Sequence, residues 1–336
     1  MDYKELKSEL FIDRAKCPSC GDQRNNELYN CKFTSDPIKK YLEDFYSKQG
    51  GVEFEYFDDE KFDLRECENC GLVYQKTILG DELMDRLYSN WIDPKFTLEN
   101  IESSYSLTYY IDYTKLAYKL ITFFNKKPSD LNFLDFGMGW GNWARIVGSF
   151  NVSSYGVELS EDRINHAKKY GVNIVDFTAL QDDFFDYINT DQVFEHVPNP
   201  FEIIEKLSKS LKKGGILRIS VPDGNGVKEA LRIMDWDAEK GHLNSLNIVA
   251  PLEHINCYST NSIVNMAKLV GLDWQNIDYY PQLEITQAPQ SLKGKIKIAF
   301  LFPTDVMRYL YRNIKKLFGV VYIPQPKGTN LFFVKK

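Results

Sequence analysis

The sequence lacks any apolar stretch that could cross a membrane, because its longest runs, such as Ile298–Phe302, fall far short of about 20 residues. Its first ten residues mix both charge signs and contain no apolar segment of the kind that a secretory signal needs. Internal repeats and low-complexity segments are absent as well. The 336 residues are 43% apolar and 14% aromatic, which excludes wholesale disorder. We therefore expect a cytoplasmic protein with one large or two ordinary domains.

The chain also has no excess of basic residues. Lys and Arg number 41 against 47 Asp and Glu, so the formal net charge is −6. A mildly acidic protein has no general affinity for nucleic acid, and we expect no nucleic-acid partner. The charge is nevertheless uneven, because residues 291–336 carry ten Lys or Arg and a single acid, Asp305.

This basic tail contains apolar residues at helical spacing, which predicts a basic helical segment at about 291–320. The residues that set the spacing are Val306, Leu310, Ile314 and Leu317. One interpretation is a helix that packs on the rest of the fold and leaves a solvated basic edge. The other is an edge that attracts an anionic acceptor, or that contacts an anionic membrane surface peripherally. The oligomeric state is not predicted.

Four of the six cysteines form two C-x-x-C pairs, Cys17 with Cys20 and Cys67 with Cys70, and glycine follows each pair. Two such turns supply the four thiolates of a tetrahedral zinc site. The alternatives are disulfides, which a cytosolic chain disfavours, or two unrelated pairs. A redox pair would not explain the duplicated glycine. Four protein ligands leave no open position, so we predict a structural Zn²⁺.

Residues 1–80 are predicted to form short strands and turns around this zinc, and helical spacing begins at residue 81 and continues to about 127. Tyr105, Tyr109 and Tyr113 recur every four residues and share one helix face. That face either packs internally or lines a polar acceptor pocket. From residue 128 onward, short apolar strands alternate with helices, which predicts an α/β fold with a doubly wound, Rossmann-like parallel sheet.

A glycine-rich loop follows the first of these strands, with Asp135 near the strand's end and Gly137, Gly139 and Gly141 at alternating positions. Such a loop lets the backbone approach a ligand beside a helix N-terminus. The pattern is not that of a dinucleotide fingerprint, which needs a third glycine where Asn142 stands. Glu158 ends the next strand, where a carboxylate can accept both hydroxyls of a ribose.

Together with three later segments, this loop resembles the class I S-adenosylmethionine (SAM)-dependent methyltransferases. The segments that carry the resemblance are LDFGMGWGNWA, YGVELSEDRINHAKKYGV, FDYINTDQVFEHVPNP and LKKGGILRISVP. The resemblance covers about residues 131–280 and implies a seven-stranded sheet. It implies that Asp135 and the glycines hold the cofactor's amino-acid and ribose portions and that Glu158 takes the ribose hydroxyls. Asp176 would lie near the adenine, and Asp191 with Gln192 near the methionine end.

The N-terminal half, with its cysteine pairs and the Tyr88-Ser89-Asn90 segment, resembles the zinc-binding domain of sugar methyltransferases from deoxysugar and surface-polysaccharide pathways. The implied domains are a zinc-binding domain at 1–80, a helical connector at 81–127 and a methyltransferase domain at 128–336. Members that methylate carbon carry a further large domain, whereas only about 55 residues follow this core. We therefore expect an oxygen acceptor, or less readily a nitrogen acceptor, on a nucleotide-activated sugar or a surface glycan.

A sugar hydroxyl is a poor nucleophile near pH 7, so a positioned base should help methyl transfer. Two Glu-His pairs are candidates: Glu195 with His196, and Glu253 with His254. In related sugar methyltransferases the histidine of the corresponding segment acts as the base, which His196 matches. The alternative for both histidines is a hydrogen-bonded loop residue. Two other functions stay open at this point: an RNA or protein methyltransferase that grips its polymer with the zinc module, and a non-catalytic SAM-binding protein.

Overall fold

The largest element of the fold is a seven-stranded sheet, seen in a computed structural model that describes residues 10–92, 106–239, 241–275 and 329–336. The chain divides into two compact units, residues 1–275 with 328–336 and residues 276–327, and the second unit lies outside the described residues. The predicted basic helix at 291–320 and Tyr105 therefore also lie outside them. None of the described helices is both long and apolar enough to span a membrane.

The sheet confirms the predicted doubly wound α/β class, with strand order β12-β13-β10-β9-β6-β7-β8. Its strands are β6 (Asn132–Phe136), β7 (Ser153–Val157), β8 (Asn173–Ile174), β9 (Phe185–Asp191), β10 (Leu211–Val221), β12 (Leu272–Gln275) and β13 (Thr329–Lys335). Neighbouring strands from β10 through β8 run parallel, whereas β13 is antiparallel to both of its neighbours. With β13, the sheet has the seven strands that the resemblance implies.

Helices follow the strands as the alternating pattern predicts. They are α3 (Leu107–Phe124), α4 (Asn142–Gly148), α5 (Glu161–Lys169), α6 (Pro200–Ser210), α7 (Val227–Ile233) and α8 (Thr260–Leu269). Ser259 caps α8, because its side chain accepts a hydrogen bond from the backbone N–H of Ser262. Helix α6 ends at Ser210 and β10 begins at Leu211, so Lys212–Gly215 lies inside β10. The glycines there form an irregularity between two stretches paired with β9.

Residues 10–92, called the N-terminal module here, contain five strands and two helices. These are β1 (Phe11–Asp13), β2 (Asn25–Lys32), α1 (Ile38–Tyr46), β3 (Lys61–Cys67), β4 (Val73–Gln75), β5 (Thr77–Leu79) and α2 (Asp81–Arg86), which continues into a π-helical turn at Leu87–Trp91. The expectation of strands and turns alone is wrong at α1. Its apolar residues Ile38, Leu42 and Tyr46 are buried at helical spacing, so tertiary packing stabilises this helix.

The sheet of the N-terminal module is completed by a strand from the other half of the chain. Strand β11 (Asn256–Cys257) pairs with β4, and the four-stranded order is β11-β4-β3-β2. The ring of Trp236 packs against Tyr29, Tyr41 and Phe62 of the module. The two halves of the sequence are therefore joined by backbone pairing and by a shared apolar core, while the proposed boundaries at 80 and 127 stay predictions.

Arg14 makes the densest polar connection between the halves. Its guanidinium is buried and donates to the backbone oxygens of Gln75 and Ile255 and, at 2.8 Å, to the side-chain oxygen of Asn256. Burial lowers the pKa of Arg14 to about 10, which still leaves the group charged near neutral pH. A buried cation is tolerated only where acceptors surround it, so these three partners are required by the charge itself.

Gln75 and Asn256 extend this connection to two loops. The Gln75 side-chain amide donates to the backbone oxygens of Ala250 and His254. The Asn256 amide donates to the backbone oxygens of Phe194 and Val197. We call Arg14, Gln75 and Asn256 the polar clamp. It fixes the loop after β9 and the loop before β11 to the same strand, β4.

We expect Arg14→Ala to lower the free energy of unfolding by about 3 kcal/mol, because several buried acceptors lose their donor at once. Urea unfolding followed by circular dichroism measures this change. Arg24→Ala is the matched control, since Arg24 pairs with Asp22 at the surface and should contribute less than about 1 kcal/mol. Equal effects of the two substitutions would contradict the structural role of the clamp.

Candidate active site

The glycine-rich loop leaves the carboxyl end of β6 and enters α4. Gly137, Gly139 and Gly141 all have positive φ angles of 55–75°, a region that glycine adopts without strain. A Cβ atom on Gly137 would lie 2.5 Å from Val193, and one on Gly141 would lie 2.9 Å from Ala167. These two glycines are therefore required by packing as well as by backbone conformation.

Glu158 follows β7 and binds the glycine-rich loop directly. One carboxylate oxygen accepts a hydrogen bond of 2.9 Å from the backbone N–H of Gly139. The other accepts from the N–H groups of Leu159 and Ser160, at 2.9 and 3.1 Å. The structure thus places Glu158 beside the loop, 10% exposed, where its oxygens can also reach a ligand.

A buried polar row crosses three neighbouring strands below the loop. Asp135 on β6 accepts a hydrogen bond of 2.8 Å from the side-chain amide of Asn189 on β9. The side-chain oxygen of Asn189 accepts in turn from Arg218 on β10, also at 2.8 Å. Burial raises the pKa of Asp135 to about 7, although the hydrogen bond from Asn189 and the charge of Arg218 act in the opposite direction. The row fixes the ends of the strands that carry the loop.

Asp191 connects this row to helix α3. Its carboxylate accepts from the Tyr113 hydroxyl at 2.6 Å and from Arg218 at 3.2 Å. Burial alone would raise the pKa of Asp191, but these two partners outweigh that effect and hold the pKa below its ordinary value. Tyr109 packs against Tyr113 with ring centroids 4.5 Å apart, so the described part of the tyrosine face turns toward the site.

The two remaining predicted cofactor residues lie at the same edge of the sheet. Asp176 follows β8 and is exposed, and its carboxylate accepts from the backbone N–H of Thr178 at 2.7 Å. Gln192 follows β9 with a φ of 55°, its backbone N–H donates to Ser220, and its side chain is exposed. The predicted roles, Asp176 near the adenine and Gln192 near the methionine end, therefore stay predictions.

Glu195, His196 and His254 come together although 57 residues separate the two histidines. The imidazole rings have centroids 5.0 Å apart, and His196 Nε2 lies 3.8 Å from Glu195 Oε1. Glu195 is 1% exposed, and neither of its carboxylate oxygens has a hydrogen-bond partner among the described residues. Burial raises the pKa of Glu195 to about 8. We call these three residues the Glu-His-His cluster.

The second Glu-His pair contributes to the same place in a different way. The Glu253 backbone oxygen binds His196 Nδ1 at 2.9 Å, and the Asn247 backbone oxygen binds His254 Nδ1 at 2.6 Å. The Glu253 side chain accepts from the Tyr46 hydroxyl of α1 at 2.6 Å. Glu253 therefore orients His196 through its backbone and ties the loop to the N-terminal module through its side chain.

Tyr88, in the π-helical turn of the N-terminal module, interacts electrostatically with carboxylates of both parts of the candidate site. Burial raises its pKa, and so do the nearby negative charges of Glu253, Glu195 and Glu158. The Tyr88 hydroxyl is therefore close enough to Glu158, which follows β7, and to Glu195, which follows β9, for their charges to affect its pKa.

The four cysteines form a compact sulfur cluster away from the histidines. Cys17 Sγ lies 3.6 Å from Cys70 Sγ, and Cys20 Sγ lies 3.5 Å from Cys67 Sγ. All four sulfur atoms fall within 4.8 Å of one another. This arrangement brings together all four cysteines of the two C-x-x-C pairs, which are the predicted zinc ligands.

Comparison with known proteins identifies the family. A sequence model described as a methyltransferase domain matches residues 109–276, which is half of the chain. The chain belongs to this methyltransferase family. Its seven-stranded sheet is the class I fold that the resemblance of the four segments implied.

Individual relatives of this methyltransferase act on varied compounds. Trans-aconitate 2-methyltransferase of Rhizobium rhizogenes is 31% identical over 119 residues, which are 32% of this chain and 44% of the relative. Ubiquinone biosynthesis O-methyltransferase of Glaesserella parasuis is 27% identical over 157 residues, covering 41% and 61%. Phosphoethanolamine N-methyltransferase 2 of Caenorhabditis elegans is 27% identical, covering 31% and 26%. The chain thus spans about a quarter to three-fifths of the length of these relatives.

Solved structures are similar at low identity. The plantazolicin methyltransferase BpumL in complex with SAH is 15% identical, with a TM-score of 0.45 over 76% of this chain and 94% of that chain. The YcgJ protein from Bacillus subtilis is 18% identical, with a TM-score of 0.37 over 48% and 70%.

Asn189 and Arg218 were not recognised from the sequence as site residues. A signal was present, since each is a polar residue within an otherwise apolar central strand, where an isolated buried polar group needs a partner. Which partner it finds depends on strand order and register. Asp135, Asn189 and Arg218 are opposite one another only because β6 and β10 both pair with β9.

We expect Glu158→Gln to weaken SAM binding by about 1–3 kcal/mol, because the cofactor's hydroxyls lose a charged acceptor. Isothermal titration calorimetry with SAM measures the change. Glu161→Gln is the control, since Glu161 is an exposed carboxylate in the first turn of α5. Equal affinities of the Glu158 variant and the parent protein would show that the ribose is held elsewhere.

Proposed function

We propose that the protein transfers the methyl group of SAM to a hydroxyl oxygen of a sugar, carried by a nucleotide, a lipid or a glycan chain. The observation that supports it most is the contact between His196, on the loop after β9, and His254, whose ring centroids lie 5.0 Å apart. The choice of a sugar rests on the resemblance of the N-terminal module, with its cysteine pairs and Tyr88, to sugar methyltransferases.

The chemistry of the cluster suits a hydroxyl acceptor. Methyl transfer from a sulfonium is an in-line displacement that needs alignment and removal of the acceptor's proton. A backbone oxygen can only accept a hydrogen bond, so Nδ1 of each histidine carries its proton and Nε2 carries the lone pair. A neutral imidazole of this tautomer can take a proton from a hydroxyl.

Polymer substrates fit the surface of the N-terminal module less well. Acidic residues are frequent in the sequence that leads to the second cysteine pair: Asp58, Asp59, Glu60, Asp63, Glu66 and Glu68. A module that grips RNA presents basic and aromatic side chains instead. The basic tail at 291–336 is part of the proposal as the region that attracts an anionic acceptor, because the remaining acidic protein would repel it.

The direct test incubates the protein and SAM with a panel of nucleotide sugars and glycans and follows a gain of one methyl group by mass spectrometry. We expect His196→Ala or His254→Ala to lower turnover of the accepted sugar by about 10²-fold, with SAM affinity kept. His242→Ala, in an exposed loop, is the control. A panel without any methylated sugar, or normal rates in both variants, would contradict the proposed acceptor chemistry.

We also propose that Cys17, Cys20, Cys67 and Cys70 hold a structural Zn²⁺. Zn–S bonds of about 2.3 Å in a tetrahedron separate the sulfurs by about 3.8 Å, close to the two separations of 3.5 and 3.6 Å in this structure. Because all four ligands come from the protein, this zinc would order the two cysteine turns and take no part in the reaction.

Elemental analysis of protein purified without chelator should find about one zinc per chain at this site. Cys67→Ser combined with Cys70→Ser should abolish that zinc, whereas Cys31→Ser should keep it, because Cys31 is not part of the sulfur cluster. Zinc retained in full by the double variant at this site would show that the four thiols are not the ligands.

A further inference from the structure

The Glu-His-His cluster has the composition of a metal site as well as that of a base. One ligand atom from each of Glu195, His196 and His254 lies within 4.8 Å of the other two. Two imidazoles and one carboxylate form a donor set typical of divalent transition metals in proteins, and it leaves coordination positions open for a substrate or water. This distinguishes the cluster from the four cysteines, which form a closed set.

Glu195 is the observation that points to a cation. Its carboxylate is 1% exposed and has no hydrogen-bond donor within the part of the chain that the structure describes. A buried carboxylate without a donor is unfavourable while it is charged, and either a proton or a bound cation relieves that cost. His196 Nε2 lies 3.8 Å from this carboxylate and carries a lone pair in the tautomer that the Glu253 backbone oxygen selects.

The hydrogen bonds behind the histidines are those of metal ligands. A histidine that binds a metal with one ring nitrogen donates the other N–H to a carbonyl or a carboxylate, which fixes the ring and its tautomer. His196 and His254 each do so to a backbone oxygen, at 2.9 and 2.6 Å. The Gln75 amide in turn holds the backbone oxygen of His254 at 3.2 Å, so the polar clamp preserves the spacing of the cluster.

From these observations we infer that Glu195, His196 and His254 bind one divalent first-row transition-metal ion, at which the acceptor hydroxyl is held for methyl transfer. The inference rests on the proposed function for the identity of the acceptor. With the ion bound, the two imidazoles are ligands, and the ion replaces them in activating the hydroxyl as a Lewis acid.

The step balances without an oxidant or a further reactant. The hydroxyl oxygen binds the ion and loses its proton to a solvent water. The oxygen then attacks the methyl carbon of SAM, so that a C–O bond forms while the C–S bond breaks. The electron pair of the broken bond returns to sulfur, which leaves S-adenosylhomocysteine and the methyl ether.

Mn²⁺ is the probe, because thiolates select softer ions and the four cysteines should not compete for it. Electron paramagnetic resonance counts the bound Mn²⁺, and its spin-echo modulation reports whether imidazole nitrogens are ligands. We expect one Mn²⁺ per chain with nitrogen modulation in the parent protein. His254→Ala and Glu195→Gln should weaken Mn²⁺ binding by about 100-fold, whereas His242→Ala should leave it unchanged. SAM calorimetry on each variant checks that it is folded.

No Mn²⁺ binding by the parent protein at millimolar concentration, or equal binding in the cluster variants, would overturn the inference. So would bound Mn²⁺ without nitrogen modulation. An undiminished rate of sugar methylation after chelation, with the cysteine-bound zinc retained, would overturn it as well and leave the proposed function standing. Bound Mn²⁺ with nitrogen modulation but no sugar methylated would support the metal site and contradict the proposed acceptor.

Discussion

The buried charge of Arg14 is the constraint on which the two halves of the structure depend. A guanidinium in this position needs acceptors on every side, and it finds them on β4 and on the segment at residues 255–256. Because Asn256 in turn holds the backbone of the loop after β9, one cation organises parts of the chain that are far apart in sequence. Removing it would leave several carbonyl groups unsatisfied at the same place.

The candidate site has two sides, and different parts of the chain form each of them. What we propose as the cofactor side, with the glycine-rich loop, Glu158 and the polar row, is formed by the parallel sheet and its connections. What we propose as the acceptor side is formed jointly, because His196 and His254 lie on loops that the N-terminal module holds through Gln75, Tyr46 and the polar clamp. This division suits a methyltransferase family whose members share one cofactor and differ in acceptor, since the acceptor side can vary without changing the sheet.

Much of the cofactor side could be predicted from the sequence because its signals are local. The glycines, Glu158 and the strand–helix alternation follow from conformational preferences within a few residues. The two cysteine pairs are local motifs of the same kind. Helix α1 could not be predicted in the same way, because only three of its nine residues are buried and they give little helical periodicity. The helix packs on residues that are distant in sequence, such as Trp236.

The acceptor side could be predicted only in part, because its geometry is non-local. The two Glu-His pairs suggested candidate bases, but nothing in the sequence indicated that His196 and His254 would stand 5.0 Å apart, or that Glu253 would act through its backbone. Arg14 gave no signal at all, since a single arginine near a cysteine pair is an ordinary surface residue until β11 joins the N-terminal sheet. Long-range pairing of this kind depends on register, which short strands specify weakly.

The central claim, that the N-terminal module holds the acceptor loops while the cofactor side stands independently, is tested most directly by hydrogen–deuterium exchange of Gln75→Leu against the parent protein. This substitution removes the two side-chain bonds to Ala250 and His254 and leaves the backbone of β4 in place. The account predicts faster exchange in residues 246–257 and 192–197, unchanged exchange in 133–142 and unchanged SAM affinity. Unchanged exchange in the two acceptor loops, or an equal increase in the glycine-rich loop with weaker SAM binding, would contradict it.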